Sequence, residues 1–463
     1  MIPLTVGQIA EVTGAALHAV PDPAAVVPGP VIIDSRQAVR GSLFAALPGE
    51  RADGHDFAAD AARSGAVAVL AARPVGVPAL IVPDVTAALG RLARAVVDRL
   101  PALTIAGITG SAGKTTTKDL AAQLICSLGP TVAPRNSFNN EIGHPLTVLR
   151  ADETTRYLVA ELSARGPGHI AALCAIAPPS LGVVLCVGNA HAGEFGSKEQ
   201  IAAAKSELPR ALPADGVALL NADDPLVAAM AASTDARVVR FGRSAGADVR
   251  AEAVALDELS RPRFRLVMAD GAADVALRLH GEHHVTNALA AAALAGQLGM
   301  TAGGIAAGLS AATALSRWRM EVTERQDGVI VINDAYNASP EAVTAALAAQ
   351  REMARGRRAY AVLGRMAELG DRSREFHEQA GVDAARAGVA GLIAVGDEAL
   401  PMLTGAKAVR GFGGELLAVP DGESALAALA ERIRPGDVVL VKASRAAGLQ
   451  TVALALAAGE DAP

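Results

Sequence analysis

Aromatic residues are scarce in this chain: one Trp, three Tyr and eight Phe among 463 residues, 3% in all. A core built on large aromatic anchors is excluded. Ala, Val and Leu must fill the interior, and such small side chains favour tight packing of helices on sheets. Cysteine is also rare. Cys126, Cys174 and Cys186 show no CxxC spacing, so neither a zinc centre nor a disulfide framework is indicated. Each has apolar neighbours and is expected to be a small buried hydrophobe. Basic excess is missing too: the formal net charge is -6, which argues against a nucleic-acid-binding surface but leaves room for a local basic pocket. No uninterrupted apolar stretch reaches the ~20 residues of a membrane span. The opening MIPLTVGQIAEVTG lacks the basic and then apolar pattern of a secretory leader. A reducing, cytoplasmic setting is the resulting expectation.

What is present is a globular composition, 51% hydrophobic and 19% charged. At about 150 residues per domain the length suggests roughly three domains. Residues 1–100 carry short strand-like runs, the turn signal Pro48-Gly49 and a helix-like segment over 87–100 that ends at Pro101. From 101 to 318 apolar runs alternate with helical patterns, the signature of βαβ units and a largely parallel sheet. These runs are 102–106, 157–160, 181–187 and 217–220, and a helix-like Ala-rich stretch follows Asn287. A third alternation fills 319–463, with strand candidates at 329–332, 360–363, 392–395 and 438–441. The expected class is α/β in three domains. They are a small α/β unit (1–100), a central P-loop-like unit on a mostly parallel sheet (101–318) and a doubly wound, Rossmann-like C-terminal unit (319–463).

Chemistry-bearing residues follow several apolar runs, where open α/β sheets bind their ligands. In LTIAGITGSAGKTTTKDL a strand-like run leads into glycines, a lysine and helix formers. Backbone N–H groups of Gly110, Ser111, Ala112 and Gly113, with the helix start at Lys114, Thr115 and Thr116, would make an anion nest. Lys114 would neutralise terminal phosphates and the Thr115 hydroxyl would ligate Mg²⁺. The strict GxxxxGK[ST] pattern fails because Ile108 stands where its first Gly should be; the chain reads GxxGxxGKTT from Gly107. Glu161 follows the run 157–160 and could hold Mg²⁺ or its water shell, or be a solvated carboxylate. His191, in GNAHAGEFGS, and Lys205, in IAAAKSEL, read by themselves as structural or solvated side chains.

Ten stretches in order change that reading: GITGSAGKTTTKDL, NSFNNEIGHPLTVLR, ELSARGPGHIAAL, GNAHAGEFGSKEQIAAAKSELP, LNADDP, HVTNALAAAALA, SRWRMEV, NDAYNASPEAV, LGRMAELGD and GDVVLVKAS. With them the chain resembles the Mur ligases along essentially its whole length. NNEIGHP and DAYNASP favour the member that adds D-alanyl-D-alanine to UDP-N-acetylmuramoyl-tripeptide over a diaminopimelate- or lysine-adding relative or a folylpolyglutamate-type ligase. The resemblance implies ATP as co-substrate, Mg²⁺, an acyl-phosphate route with no protein nucleophile, a monomer, and no nucleic-acid or membrane partner. It implies a catalytic set of Lys114, Glu161, His191 and Lys205, with Thr115, Glu161, His191 and a carbamylated Lys205 around the metal. Asn287 matches an adenine-side contact, and Arg319 and Asp334 match nucleotide contacts. Ser35, Arg36, Asn139 and Asn140 match positions near the UDP-muramoyl substrate, while Tyr336, Asn337 and Ser339 face the incoming dipeptide. Ser163, Cys186, Asn189, Ser339 and Arg365 depart from the usual family residues. Arg365 reverses a charge expected near the dipeptide. A relative that binds ATP without catalysis is the competing class.

Overall fold

The computed structural model describes residues 1–49, 52–189 and 192–459. Among these residues the strands form sheets of two, five, nine and six. The architecture is α/β, as expected.

In the N-terminal five-stranded sheet Val31–Ile32, Leu43–Ala45, Ala68–Ala71 and Ala79–Ile81 run parallel. Ala16–His18 adds an antiparallel edge. The helix Val85–Asp98 then leads to the next unit; it starts earlier than the apolar pattern suggests because the Asp84 side chain caps it, accepting from the Ala87 N–H. Its buried face, Val85, Ala88, Leu89, Leu92, Ala93 and Val96, follows helical spacing. That face shares one core with Ile105, Leu146 and Leu158, so the N-terminal unit is joined to the central sheet by continuous apolar packing.

The nine-stranded sheet places Thr104–Thr109 between Tyr157–Glu161 and Leu181–Val184, both parallel to it. Val217–Asn221, Arg237–Gly242 and Val249–Leu256 continue in parallel. The sheet is mostly parallel, as expected; only the far edge departs, where Pro262–Met268 and Gly271–Ala276 pair antiparallel. Pro262, Phe264 and Leu266 are buried while Arg263 and Arg265 are exposed, the alternation of a sheet with one solvated face. The buried side meets the helix His284–Gln297, whose run of alanines from Ala290 to Ala293 lets it lie close on the sheet.

The six-stranded sheet has the order Glu321–Glu324, Ile330–Asn333, Val438–Lys442, Ala359–Gly364, Gly391–Val395, Glu415–Val419. All its pairs are parallel except the first. Helices Pro340–Ala354 and Ser373–Arg386 contribute to the core on one face, Gly422–Ala430 and Gln450–Ala458 on the other, which is a doubly wound layering.

The cysteines correct one expectation. Cys174 is buried and Cys186 half-buried, but Cys126 is exposed. It caps the C-terminal end of the helix Lys114–Ile125, where its thiol donates to the Gln123 carbonyl.

Candidate active site

The phosphate loop joins the strand Thr104–Thr109 to the helix Lys114–Ile125. Gly113 is the helix N-cap with φ +81°, a left-handed backbone that glycine adopts without a steric cost. A Cβ there would also strike the Asn287 side chain. The Lys114 ammonium donates to the Gly110 carbonyl at 2.7 Å, folding the lysine back over its own loop. Burial pushes its pKa down, with Glu161 and Cys186 opposing and Arg319 adding to the fall.

Glu161 ends the neighbouring strand and is only 1% exposed. Its Oε1 accepts from the Thr115 hydroxyl at 3.2 Å and from Asn139 Nδ2 at 2.7 Å. Its Oε2 is buried without a partner. A buried carboxylate oxygen left unpartnered beside a hydroxyl suits a hard cation: the donors are oxygens, and Mg²⁺ takes few protein ligands and keeps its waters. These residues therefore fit Mg²⁺. Thr115 also meets Ser137 Oγ at 3.1 Å, and Arg319 Nη2 donates to the same Ser137 at 2.9 Å. Ser137 thus links the phosphate loop to the segment that leads into the C-terminal sheet.

From the C-terminal unit, Asp334 and Lys442 form a buried pair at 2.5 Å. The ammonium also donates to the Asn337 carbonyl at 2.9 Å, and the Met320 N–H donates to Asp334 Oδ1 at 3.1 Å. Arg319 lies over the Tyr336 ring at 4.3 Å from its centroid, and Arg445 stands over the same ring at 5.3 Å.

These groups open onto one cavity of about 450 Å³ between the central and C-terminal units. Of the residues expected from sequence, Ser111 to Thr116, Asn139, Asn140, Glu161, Asn287, Arg319, Asp334, Tyr336, Asn337 and Ser339 line it. Gly110, whose carbonyl is taken by Lys114, does not line it, and neither do Ser35 and Arg36. Arg36 is held in the N-terminal unit by Asp34, with its side chain 87% exposed. His191 lies outside the described residues. Lys205 is buried at the end of the helix Lys198–Lys205 and does not line the cavity. Burial first, then the charge of Lys114, lowers its pKa to about 7. Arg365 does not face the cavity; it pairs with Glu398 at 2.7 Å. Ser137, Glu341 and Lys442 belong to the site and were absent from the expected set. GDVVLVKAS marked the strand end that carries Lys442; Ser137 and Glu341 lie inside NSFNNEIGHPLTVLR and NDAYNASPEAV, stretches that were read without giving either residue a role.

A phosphate-binding loop facing a buried carboxylate, across a cavity bordered by the doubly wound C-terminal unit, has the makings of a nucleotide-phosphate site of a transferase or ligase. Comparison with known proteins narrows it. Residues 30–102 match the family model described as Mur ligase family, catalytic domain; 108–295 match the Mur ligase middle domain; 318–445 match the Mur ligase, glutamate ligase domain. The UDP-N-acetylmuramoyl-tripeptide–D-alanyl-D-alanine ligase of Mycobacterium tuberculosis strain H37Rv is 52% identical, with 99% of each chain covered. The ligase of that name from Escherichia coli K12 is 35% identical over 98% of this chain and 99% of its own. Among solved structures, MurF from Acinetobacter baumannii superposes with a TM-score of 0.87 at 31% identity, covering 98% of this chain and 99% of that one. MurF ligase from Thermotoga maritima in complex with ADP gives 0.79 at 31% identity, covering 93% and 98%. The chain belongs to the Mur ligase family.

Proposed function

We infer that this chain is an ATP-dependent amide ligase that joins D-alanyl-D-alanine to UDP-N-acetylmuramoyl-tripeptide, releasing ADP and phosphate and forming the pentapeptide precursor of peptidoglycan. The observation that carries this is the full-length similarity to ligases of that name, 52% identity over 99% of each chain, together with an intact phosphate loop facing Glu161. We propose a cytoplasmic reaction because a UDP-linked peptide and a dipeptide are polar, soluble substrates; no helix among the described residues is long and apolar enough to cross a membrane. Residues 1–100 hold the uridine nucleotide, 101–318 hold ATP, and 319–463 receive the dipeptide and close on ATP.

A free carboxylate does not condense with an amine in water, so it must first be activated. The tripeptide carboxylate attacks the terminal phosphorus of ATP and becomes an acyl phosphate. The dipeptide amine, in its neutral form, then adds to the acyl carbon; its nitrogen gives up a proton and phosphate departs with the C–O electron pair, leaving the amide. Lys114 and the loop N–H groups hold the transferring phosphoryl group in place and offset its charge. Thr115 and Glu161, joined by His191, would hold Mg²⁺, which supplies further charge neutralisation. Asn287 buttresses Gly113 on the adenine side; Arg319 and Asp334 reach the nucleotide from the domain junction. Asn139 and Asn140, with Ser35 and Arg36, orient the UDP-substrate, and Tyr336, Asn337 and Ser339 face the dipeptide. Closure of the cavity excludes water from the acyl phosphate.

Lys205 adds a further element. A lysine with pKa about 7 is substantially uncharged near neutrality, and an uncharged amine adds to carbon dioxide. An N–C bond forms, a proton leaves, and a cation becomes a carboxylate-like carbamate able to support the metal. Phosphate release should be assayed with ATP, UDP-N-acetylmuramoyl-tripeptide and a panel of amines: D-alanyl-D-alanine, D-glutamate, diaminopimelate, lysine and L-glutamate, with a glutamyl folate tried separately in place of the UDP-tripeptide. Strong preference for D-alanyl-D-alanine is expected; preference for any other amine would overturn the reading.

A further inference from the structure

Glu341 sits in the first turn of the helix Pro340–Ala354, at the cavity wall. Its two carboxylate oxygens are treated differently. Oε1 accepts from both the backbone N–H and the Nδ2 of Asn189, each at 2.7 Å. Oε2 is shielded from solvent and has no partner. The facing loop lies close to the carboxylate: a Cβ on Gly188 would lie 2.7 Å from Glu341 Cδ, so a larger residue there would push the Glu341 carboxylate away from its present place. The Gly188 N–H donates to Ser111 Oγ at 2.8 Å. Two consecutive residues therefore fix the position of Glu341 relative to the phosphate loop. The helix dipole accommodates an acid in a first turn, but it does not explain one doubly held oxygen beside an orphan.

The charges around the cavity narrow the possibilities. Asp334 is neutralised by Lys442. Glu161 is engaged by Thr115 and Asn139 at the phosphate end. Glu141 lies on the exposed rim. Glu341 forms no ion pair with any cation among the described residues. A shielded carboxylate without a counter-ion favours the arrival of a cation. The reaction brings one, because a peptide's α-amino group, with an ordinary pKa of about 7.7–8.0, reaches the enzyme largely as an ammonium.

Resting on the function proposed above, we propose that Glu341 is the residue that selects the incoming amine. Its Oε2 receives the dipeptide ammonium while Asn189 holds Oε1. The carboxylate sets where the nitrogen lies relative to the phosphate loop and favours an amine over a neutral group of the same shape; the ammonium gives up one proton, to Oε2 or to water, before its nitrogen attacks.

The test compares wild type, Glu341→Gln and Glu341→Asp with D-alanyl-D-alanine as substrate and D-lactoyl-D-alanine, which carries a hydroxyl in place of the amine, as competing ligand. Glu341→Gln should raise the KM for the dipeptide about 10- to 100-fold, the range of a lost charge-assisted contact. The inhibition constant of the hydroxyl analogue and the KM for ATP should stay within about twofold, the latter reporting an intact fold. Glu341→Asp, which keeps the charge, should recover part of the preference. A Glu341→Gln enzyme that still discriminates amine from hydroxyl as wild type does overturns the proposal. So does an equal weakening of both ligands, which would mark a purely structural role. Wild type that fails to use D-alanyl-D-alanine at all would instead strike down the functional reading.

Discussion

The side-chain oxygen of Asn287 occupies the space that a Cβ on Gly113 would need. The helix His284–Gln297 thereby presses directly on the phosphate loop, and Asn287 Nδ2 is in turn held by His284 Nδ1 at 3.1 Å. Gly113 is required twice over, by its φ of +81° and by this approach. Gly113→Ala should cost more than the roughly 1 kcal/mol usual for a left-handed alanine, because either the loop or the buried Asn287 side chain, which His284 holds, must also give way. The expected outcome is at least a ~100-fold fall in kcat/KM for ATP, with the circular-dichroism spectrum retained. An enzyme within threefold of wild type would show that the loop tolerates the displacement.

Glu161→Gln tests the charge of the metal site while keeping its shape. The amide can still meet Thr115 and Asn139, so the strand end should stay in place. The lost negative charge removes the counterpart for Mg²⁺, and a drop in kcat on the order of 100-fold or more is expected. Binding of the UDP-substrate, followed by calorimetry without ATP, should be unchanged. If raising the Mg²⁺ concentration had no effect on either enzyme, the metal role of Glu161 would be wrong.

The parts of this site that were legible in sequence are those built from contiguous chain. A strand, a glycine-rich turn, a lysine and a helix form one local unit, so Gly110 to Thr116 could be read directly, and Glu161 followed because it terminates an apolar run. Four of the six strands of the doubly wound C-terminal unit were legible because they are short, buried, mostly apolar runs; Glu321–Glu324 (EVTE) and the half-exposed Glu415–Val419 at the two edges gave no such run. Contacts that depend on how distant segments meet were not. Ser137 bridges Thr115 and Arg319 only after the central and C-terminal units pack. Arg365 reads as a charge reversal near the substrate until Glu398 is seen to take it. The antiparallel edge 262–276 alternates with period two, but its glycine- and alanine-rich second strand, Gly271–Ala276, has little β-branched character to mark it.

The assignment of Lys205 makes a chemical prediction that differs from an ordinary lysine role. Lys205→Ala should abolish turnover, and millimolar acetate or formate should restore part of it by standing in for the carbamate. Carbon-13 dioxide should label the wild-type protein, with a carbamate resonance seen by NMR, and should not label the variant at that shift. An active Lys205→Ala enzyme without additives would remove Lys205 from the catalytic set.

Acid sensitivity follows from buried histidines. His144 is fully enclosed, its Nε2 has no partner, and burial lowers its pKa to about 4. His283 at the cavity is lowered to about 4 by the same cause. For each, the folded pKa lies below the ordinary histidine value of about 6.5, so the unfolded chain takes up the proton first as pH falls. The stability this contributes is fully present above pH ~6.5 and is lost progressively towards pH ~4, at most about 3 kcal/mol per histidine. Urea unfolding between pH 7.5 and 4.5 should therefore show a midpoint that falls with pH. His144→Gln, which cannot titrate, should flatten that fall by its own share and leave the shares of the other histidines that burial lowers, His283 and His284 foremost. If the wild-type and variant curves run parallel across this window, His144 is not the group that couples protonation to unfolding.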